Sequence, residues 1–293
     1  MSADLAEGLA VSVCTIVKGR RDHLVNLING LNRQTVPPAE LVIAYMQSSP
    51  HTQLPKTDFP VRVTHVPGIP MPLAAARNVA AQMAGCDMIV FLDVDCIPSP
   101  TLIESYGKAG AEQDSVFLSE VYYLPELSAM DASNYAQLDV IGKRHPAKPM
   151  LKDADIIPEP DHGELWGLAF GIRRLTWLDI GGMDENYTGY GAEETDFAEK
   201  LKAQDIPLAW LGCARAYHQH HRVHIPPLQH FDHIVRNAQL FRDKWGHWCM
   251  TYWLEQFADK GLVAFDDAAI KILRKPSPSE VRVCEQPTDV LFS

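Results

Sequence analysis

The chain has little positive charge and no long apolar run. Its 293 residues include 26 lysines and arginines against 37 aspartates and glutamates, for a formal net charge of −11. Nucleic acids and anionic membranes are bound through dense lysine and arginine, so the sequence predicts no nucleic-acid partner. No segment approaches the roughly 20 consecutive apolar residues of a bilayer-spanning helix. The expectation is a chain without a transmembrane segment, which leaves peripheral membrane contact open.

The six cysteines are scattered, and none forms a C-x-x-C pair. A chain of this length buries a sizeable core without disulfides, so these residues are interpreted as reduced thiols of a cytosolic protein. Residues 1–7 are acidic and lack the basic start of a signal peptide. The sequence therefore predicts a cytoplasmic location.

Strand and helix patterns alternate along the first part of the chain. Residues 10–17, AVSVCTIV, form a β-branched, apolar run that is typical of a strand buried on both faces of a parallel sheet. Further strands are predicted at residues 41–45, 61–66 and 88–93, and helices at residues 24–31, 73–84 and 100–112. Repeated β-α-β units of this kind predict an α/β fold, with a mostly parallel central sheet flanked by helices.

The pattern changes after a predicted strand at residues 116–124. Residues 125–164 contain five prolines and little periodicity, which predicts a long loop. Order is expected to return at residues 166–174, a strand is predicted at residues 207–212, and helices are predicted at residues 228–245 and 248–259. We expect a main domain over residues 1–225 and a C-terminal helical extension over residues 226–293 that packs on it. The tail from residue 276 is predicted to be weakly ordered.

Two acidic residues end the strand predicted at residues 88–93. Ligands of parallel sheets bind at the carboxyl ends of the strands, and this strand ends in Asp93-Val94-Asp95. Two carboxylates at such a position can hold a divalent cation, Mn²⁺ or Mg²⁺, that bridges a diphosphate. A second D-x-D, Asp153 and Asp155, lies in the proline-rich segment and is interpreted as solvated charge.

A glycine-rich acidic motif, GYGAEETD, occupies residues 189–196. Its glycines permit a tight turn, and Glu193 and Glu194 then fall in the first turn of a helix, where the helix dipole favours negative charge. Taken alone, an ordinary acidic helix start is the simpler interpretation. The functional hypothesis is that one carboxylate is a general base.

Histidines are concentrated in one segment, with six of the twelve between residues 218 and 233. His218, His220 and His221 form a tight group after a predicted strand, and one imidazole would complete a metal site with two carboxylates. The other three, His224, His230 and His233, are interpreted as surface or hydrogen-bonded residues.

In this order the segments resemble the inverting family 2 glycosyltransferases with the GT-A fold, a Rossmann-like architecture, including the galactosyltransferase-like and chondroitin-polymerase-like members. The resemblance runs over residues 11–221. It rests on Gln34-Thr35 after the first strand and helix, LAAARN at residues 73–78, FLDVDCIPSP around the D-x-D, and residues 171–201. It implies a metal-dependent, inverting transfer of a sugar from a nucleotide sugar, with a UDP-sugar favoured, to the hydroxyl of a carbohydrate, lipid-linked or small-molecule acceptor.

The resemblance also implies residue roles. Asp95 would ligate the metal and Asp93 would lie beside the donor ribose and diphosphate as a second metal carboxylate. One of His218, His220 and His221 would be the third ligand, with a slight preference for His218. Glu194 would be the general base, and Glu193 would help to hold the acceptor or donor sugar. The implied donor-binding residues are Thr15, Arg20, Gln47, Arg77, Asp93, Trp166 and Gly167.

One segment departs from the family pattern. After the second strand the family usually has an Asp-Asp-Gly-Ser-like turn that recognises the base, whereas this chain has Met46-Gln47-Ser48-Ser49. Gln47 could still hydrogen-bond a base, but the nucleotide stays open. One alternative is a sugar-phosphate nucleotidyltransferase, although Lys18-Gly19-Arg20 is short for its phosphate loop. The other is a non-catalytic nucleotide- or glycan-binding module. Sugar, acceptor and linkage are not specified by these residues.

Overall fold

In the computed structural model, residues 8–126, 132–152 and 155–291 are described. Their main feature is a ten-stranded sheet in the order β3-β2-β1-β4-β9-β6-β10-β5, with β7 and β8 paired to β6 and β10. The strands are β1 (Val11–Val17), β2 (Glu40–Tyr45), β3 (Val61–His65), β4 (Met88–Leu92), β5 (Cys96–Pro98), β6 (Val116–Tyr123), β7 (Lys143–Arg144), β8 (Ile156–Glu159), β9 (Ala169–Arg173) and β10 (Leu208–His218).

The first four strands are parallel to one another, as the β-α-β pattern predicts. They are connected through α1 (Arg21–Leu31) and α2 (Leu73–Met83). Every residue of β1, β2 and β4 is buried, whereas β3 is largely exposed at the edge of the sheet. The predicted α/β architecture is confirmed.

Beyond β4 the sheet is mixed. Strand β9 runs antiparallel to both of its neighbours, β4 and β6, and β10 is parallel to β6. Strands β4, β6 and β10 therefore point in the same direction, and their carboxyl ends lie at one edge of the sheet. The segment that leads into β9 reaches that same edge, because β9 enters the sheet from the opposite direction.

Helices cover both faces of the sheet. One core cluster joins α1 and α3 (Leu102–Glu112) to alternate strand residues such as Val13 and Val90. The second joins α2, α5 (Arg174–Asp179) and α6 (Glu193–Ala203) to the intervening residues, such as Cys14 and Ile89. This alternation follows from the two-residue period of a strand, and it explains why these runs are apolar throughout.

The proline-rich segment contains more structure than its composition predicts. Its described part includes α4 (Tyr135–Ile141), β7, β8 and a 3-10 turn at His162–Glu164. Strand β8 pairs antiparallel with β10, so the edge of the sheet orders a four-residue stretch that has no periodicity of its own. Asp153 and residues 1–7 lie outside the described residues.

The C-terminal part consists of α7 (Phe231–Trp245), α8 (Thr251–Asp259), a hairpin of β11 (Val263–Phe265) and β12 (Ile270–Ile272), and α9 (Pro278–Val283). Its own apolar cluster includes Phe231, Ile234 and Phe257. A second cluster joins Phe241 of α7 to Tyr187 of the main body. A domain division at residue 225 stays a prediction. No described helix is both long and apolar enough to cross a membrane.

The tail contains a short helix as well, and its weak order stays a prediction. Helix α9 begins with a capping box, in which the Ser277 side chain accepts a hydrogen bond from the Glu280 N–H while the Glu280 carboxylate accepts one from the Ser277 N–H. His224 and Glu285 form an antiparallel bridge that ties this segment to the chain after β10. The S-P-S-E sequence at residues 277–280 is a helix-start signal, and it was available in the sequence.

Candidate active site

The site lies at the edge where β4 and β10 end. The turn after β4 is held by backbone hydrogen bonds from two other segments. Asp93 N–H donates to the Leu168 carbonyl (2.9 Å), just before β9, and Gln219 N–H, just after β10, donates to the Asp95 carbonyl (2.6 Å). The strand directions thus bring the D-x-D, residues 166–167 and the histidine group together.

Three side chains form a candidate metal centre: Asp95, His218 and His221 have ligand atoms within 4.8 Å of one another. His218 Nε2 lies 3.6 Å from Asp95 Oδ1, and His221 Nε2 lies 3.8 Å from Asp95 Oδ2. The Asp95 side chain is only 2% exposed, and its Oδ1 has no hydrogen-bond partner. The Arg20 guanidinium forms an ion pair with Oδ2.

The charge states of the three side chains favour cation binding at this centre. Burial lowers the pKa of His218 to about 4, and burial also lowers the pKa of His221. Burial opposes ionisation of Asp95, but the facing histidines and Arg20 outweigh it and lower the pKa of that carboxyl. Neutral imidazoles beside an ionised carboxylate are the donor set that a divalent cation requires, so the residues fit a metal.

Two other predicted ligands lie apart from this group. His220 is half-buried just after the end of β10, outside the group of Asp95, His218 and His221. The Asp93 carboxylate faces Arg77 instead, with 3.4 Å between Arg77 Nη2 and Asp93 Oδ1. Among the described residues, neither belongs to the three-residue group, so a ligand role for either stays a prediction.

A second cluster surrounds Arg77, whose side chain is 4% exposed on α2. Its guanidinium lies 2.9 Å from Glu194 Oε1 and 3.7 Å from Glu193 Oε1, in addition to the contact with Asp93. The other Glu194 oxygen accepts a hydrogen bond from Gly167 N–H (2.8 Å). A Cβ at residue 167 would lie 1.9 Å from Glu194 Oε1, so this close approach requires glycine.

One guanidinium faces three carboxylates, and two of them, Glu193 and Asp93, have raised pKa values. Burial, reinforced by the charge of Glu194, raises the pKa of Glu193 to about 7. Burial also raises the pKa of Asp93 to about 7, although Arg77 opposes this. Glu194 is the more accessible of the paired glutamates, with 29% of its side chain exposed against 8% for Glu193. Of this pair, Glu194 is therefore the better placed to meet a substrate.

The start of α6 positions these glutamates. Gly189, Gly191 and Ala192 have φ values of 83°, 95° and 73°, and this left-handed path turns the chain into the helix. The Asn237 side chain on α7 donates to the carbonyls of Thr188 (3.1 Å) and Gly191 (2.8 Å). The C-terminal part thus fixes the turn that carries the acidic motif.

One turn into α6, Asp196 is fully buried. It accepts hydrogen bonds from Tyr187 (3.2 Å), Trp245 Nε1 (2.8 Å) and Lys244 Nζ (3.0 Å). Sequence reasoning missed Asn237 and Lys244. The available signal was their seven-residue spacing, which puts two polar residues on the same side of α7.

The predicted donor side has its own hydrogen bonds. Gln47 Oε1 accepts from Gly19 N–H (2.6 Å), and Gln47 Nε2 donates to the Ser49 carbonyl (2.8 Å). The Gln47 carboxamide thereby links the turn after β2 to the turn after β1. Thr15 Oγ1, in β1, is buried without a hydrogen-bond partner. Trp166 is half-buried, with Lys148 Nζ 3.4 Å from its ring centroid.

Comparison with known protein families gives two matches. Residues 12–126 match the model of glycosyl transferase family 2, and residues 158–224 match the N-terminal domain of galactosyltransferase. The first match contains the D-x-D and Arg77, and the second contains Gly167, the paired glutamates and His218. Together they cover both clusters of the site.

Two curated relatives are named validoxylamine A glucosyltransferase, from Streptomyces hygroscopicus subsp. jinggangensis (strain 5008) and subsp. limoneus. Each is 24% identical over an alignment of 193 residues, and the match covers 56% of this chain. The match covers 44% and 41% of those proteins, so the chain spans less than half the length of these relatives.

Solved structures show the same fold. The crystal structure of GalNAc-T7 with UDP, GalNAc and Mn²⁺ has a TM-score of 0.54 at 16% identity, over 73% of this chain and 43% of that one. S. aureus TarS 1-349 in complex with UDP has a TM-score of 0.51 at 15% identity, over 80% and 65%. The fold is therefore that of the GT-A glycosyltransferases. Within it, residues 12–126 match glycosyl transferase family 2, and the two family matches together support a glycosyltransferase.

Proposed function

We propose that the protein is a metal-dependent, inverting glycosyltransferase that moves a sugar from a UDP-sugar to an acceptor hydroxyl. The observation that carries this proposal is the position of the D-x-D turn. Asp95 belongs to the metal-type group, and Asp93 belongs to the carboxylate cluster that contains Glu194. A leaving diphosphate and an attacking hydroxyl require such groups on opposite sides of one sugar.

Asp95, His218 and His221 would hold the divalent cation. Two imidazoles with one carboxylate suit Mn²⁺ better than Mg²⁺, which prefers oxygen ligands alone. The cation would supply positive charge to the departing diphosphate. The similarity to a structure that contains Mn²⁺ and UDP supports this proposal.

Glu194 would accept the proton of the acceptor hydroxyl. Arg77 and Gly167 N–H hold its two oxygens, which fixes the carboxylate while leaving 29% of the side chain exposed. A single base that acts in one displacement leads to inversion at the sugar carbon. Glu193, the less exposed of the pair, would help to orient the sugar, and Asp93 would contact the donor between the two groups.

For the donor base and the acceptor, the proposal names chemical classes and the segments that would contact them. Gln47 would present the turn after β2 to the base, with Thr15 and Arg20 on the β1 side and Trp166 beside the sugar. A UDP-sugar is favoured because structural neighbours contain UDP. The acceptor would be a carbohydrate, a lipid-linked molecule or a small molecule. We place the activity in the cytoplasm, where the six free cysteines would stay reduced.

The test begins with thermal unfolding in the presence of nucleotides and nucleotide sugars, with and without Mn²⁺, because a bound donor raises the melting temperature. Transfer is then measured with the stabilising donor. Asp95→Ala should lose metal-dependent donor binding, whereas Glu194→Gln should retain binding and lose transfer. Asp22→Asn, at a side chain that is 94% exposed, serves as the control and should match the wild type.

Three outcomes would contradict the proposal. Transfer by Glu194→Gln at the wild-type rate would exclude Glu194 as the base. Release of pyrophosphate from a sugar phosphate and a nucleoside triphosphate would favour a nucleotidyltransferase. Donor binding without transfer or hydrolysis would favour a binding module.

A further inference from the structure

Arg20 occupies an unusual position beside the candidate metal centre. It is the residue before α1, and both Gly19 (φ 62°) and Arg20 (φ 51°) adopt left-handed backbone conformations. The resulting turn directs the guanidinium to Asp95 Oδ2. The Arg20 side chain is 38% exposed, whereas that of Asp95 is 2% exposed. One end of the pair is therefore fixed, and the other can move into solvent.

The guanidinium and a metal ion would compete for the same atom. Asp95 Oδ2 pairs with Arg20 and also faces His221 Nε2 at 3.8 Å. A cation held by Asp95, His218 and His221 would lie next to the positive charge of Arg20, and like charges at such separations repel. In the absence of donor, Arg20 should therefore weaken metal binding.

A diphosphate removes the competition between Arg20 and the metal ion. Arginine guanidinium groups bind phosphate oxygens through paired hydrogen bonds, and a diphosphate carries enough negative charge for both a metal ion and an arginine. Once a nucleoside diphosphate is present, Arg20 can leave Asp95 and pair with phosphate. The repulsion that opposed the metal is then replaced by two attractions to the same ligand.

We propose that Arg20 couples metal binding to diphosphate binding, by holding Asp95 in the empty site and releasing it as the donor arrives. This inference rests on the proposed function and adds an order of events to it. Because coupling between two ligands is reciprocal, the metal should strengthen nucleotide binding by the same factor by which the nucleotide strengthens metal binding. In this scheme Arg20 acts on the metal through Asp95 and contacts the diphosphate directly.

The experiment measures Mn²⁺ affinity by electron paramagnetic resonance or calorimetry, with Mn²⁺ alone and with saturating UDP. Arg20→Gln should bind Mn²⁺ alone about tenfold more tightly than the wild type, within the usual range of coupling between sites. UDP should then improve Mn²⁺ affinity by a smaller factor in Arg20→Gln than in the wild type. Arg20→Lys retains the charge, and its Mn²⁺ affinity and UDP coupling should lie between those of the wild type and Arg20→Gln.

Arg21→Gln is the matched control. Arg21 is adjacent and similarly exposed (41%), but it contacts Asp22 and the carbonyls of Thr52 and Gln53. Its Mn²⁺ affinity and UDP coupling should equal those of the wild type. Unfolding midpoints of all variants establish that each is folded under the binding conditions.

These measurements distinguish the role of Arg20 from the metal-dependent function on which it rests. If the wild type binds Mn²⁺ and Arg20→Gln shows unchanged or weaker affinity for Mn²⁺ alone, the role of Arg20 is overturned while the metal site stands. If the wild type binds no Mn²⁺ with or without UDP, the metal-dependent function is overturned, and the role of Arg20 with it.

Discussion

Replacement of Lys244 by methionine tests how strongly the C-terminal part supports the acidic motif. Lys244 Nζ lies 2.7 Å from Asp196 Oδ1, and Asp196 is fully buried in the first turn of α6. Methionine retains most of the volume and removes the charge. The Asp196 carboxylate then keeps the neutral donors Tyr187 and Trp245, but it loses the ammonium that balances its charge.

The expected cost follows from burial. Removing one partner of a buried ion pair costs about 3–5 kcal/mol of unfolding free energy. The Lys244 side chain is 32% exposed and two donors remain, so the lower end of about 3 kcal/mol applies. The comparison is Lys275→Met, because Lys275 lies 2.7 Å from Asp232 with 68% and 54% of the two side chains exposed. That exposed pair should contribute less than about 1 kcal/mol.

Urea unfolding followed by circular dichroism measures both variants. The double variant Asp196→Asn/Lys244→Met should be more stable than Lys244→Met alone, because the unbalanced charge is gone. Sugar transfer by Lys244→Met should also decrease, since α6 begins with Glu193 and Glu194. A loss of stability no greater than that of Lys275→Met would refute the assigned importance of the buried pair.

Two further predictions concern single contacts. Gly167→Ala should abolish transfer and retain UDP binding, because its Cβ would lie 1.9 Å from Glu194 Oε1; kinetics and calorimetry check this, and full activity would contradict the assigned contact. In α9, a hydrogen bond from Arg274, helped by Ser277, lowers the pKa of Glu280 from 4.5 to about 2. The same contacts to the ionised Glu280 carboxylate stabilise α9. This stabilisation is fully present above pH 4.5 and is lost as the pH falls through about 2. Amide hydrogen exchange should show this loss in the wild type but not in Glu280→Gln, and equal pH dependence in both would exclude the mechanism.

The strands and the D-x-D could be predicted because continuous apolar runs have few other interpretations. The end of β10 could not be predicted from the sequence. The sequence predicts a strand at residues 207–212, but β10 continues to His218 through a register shift between Leu211 and Ala216. Cys213, with φ 58°, lies inside this irregularity. A bulge of this kind interrupts the two-residue period, so the sequence pattern does not show that the strand continues to His218.

The contacts of the predicted site residues could not be predicted from local sequence patterns either. Arg77 and Glu194 are 117 residues apart, so their contact depends on how β9 is inserted between β4 and β6. Likewise, the sequence predicts that Gln47 could hydrogen-bond the nucleotide base. The tertiary structure brings the turns after β1 and β2 together, and there the Gln47 carboxamide forms hydrogen bonds with Gly19 and Ser49. Residue types and strand ends were predictable, whereas contacts between distant segments required the tertiary structure.

The position of Arg77 has a consequence for recombination between related enzymes. Its guanidinium belongs to the segment matched by the family 2 model, but Glu193 and Glu194 belong to the segment matched by the galactosyltransferase model. A chimera that exchanges residues 158–224 for the corresponding segment of another enzyme must bring carboxylates to the same place. Otherwise it would bury an arginine with Asp93 as its remaining anionic partner in this cluster. Exchange of this segment is therefore constrained by one buried charge at the junction between the two halves of the site.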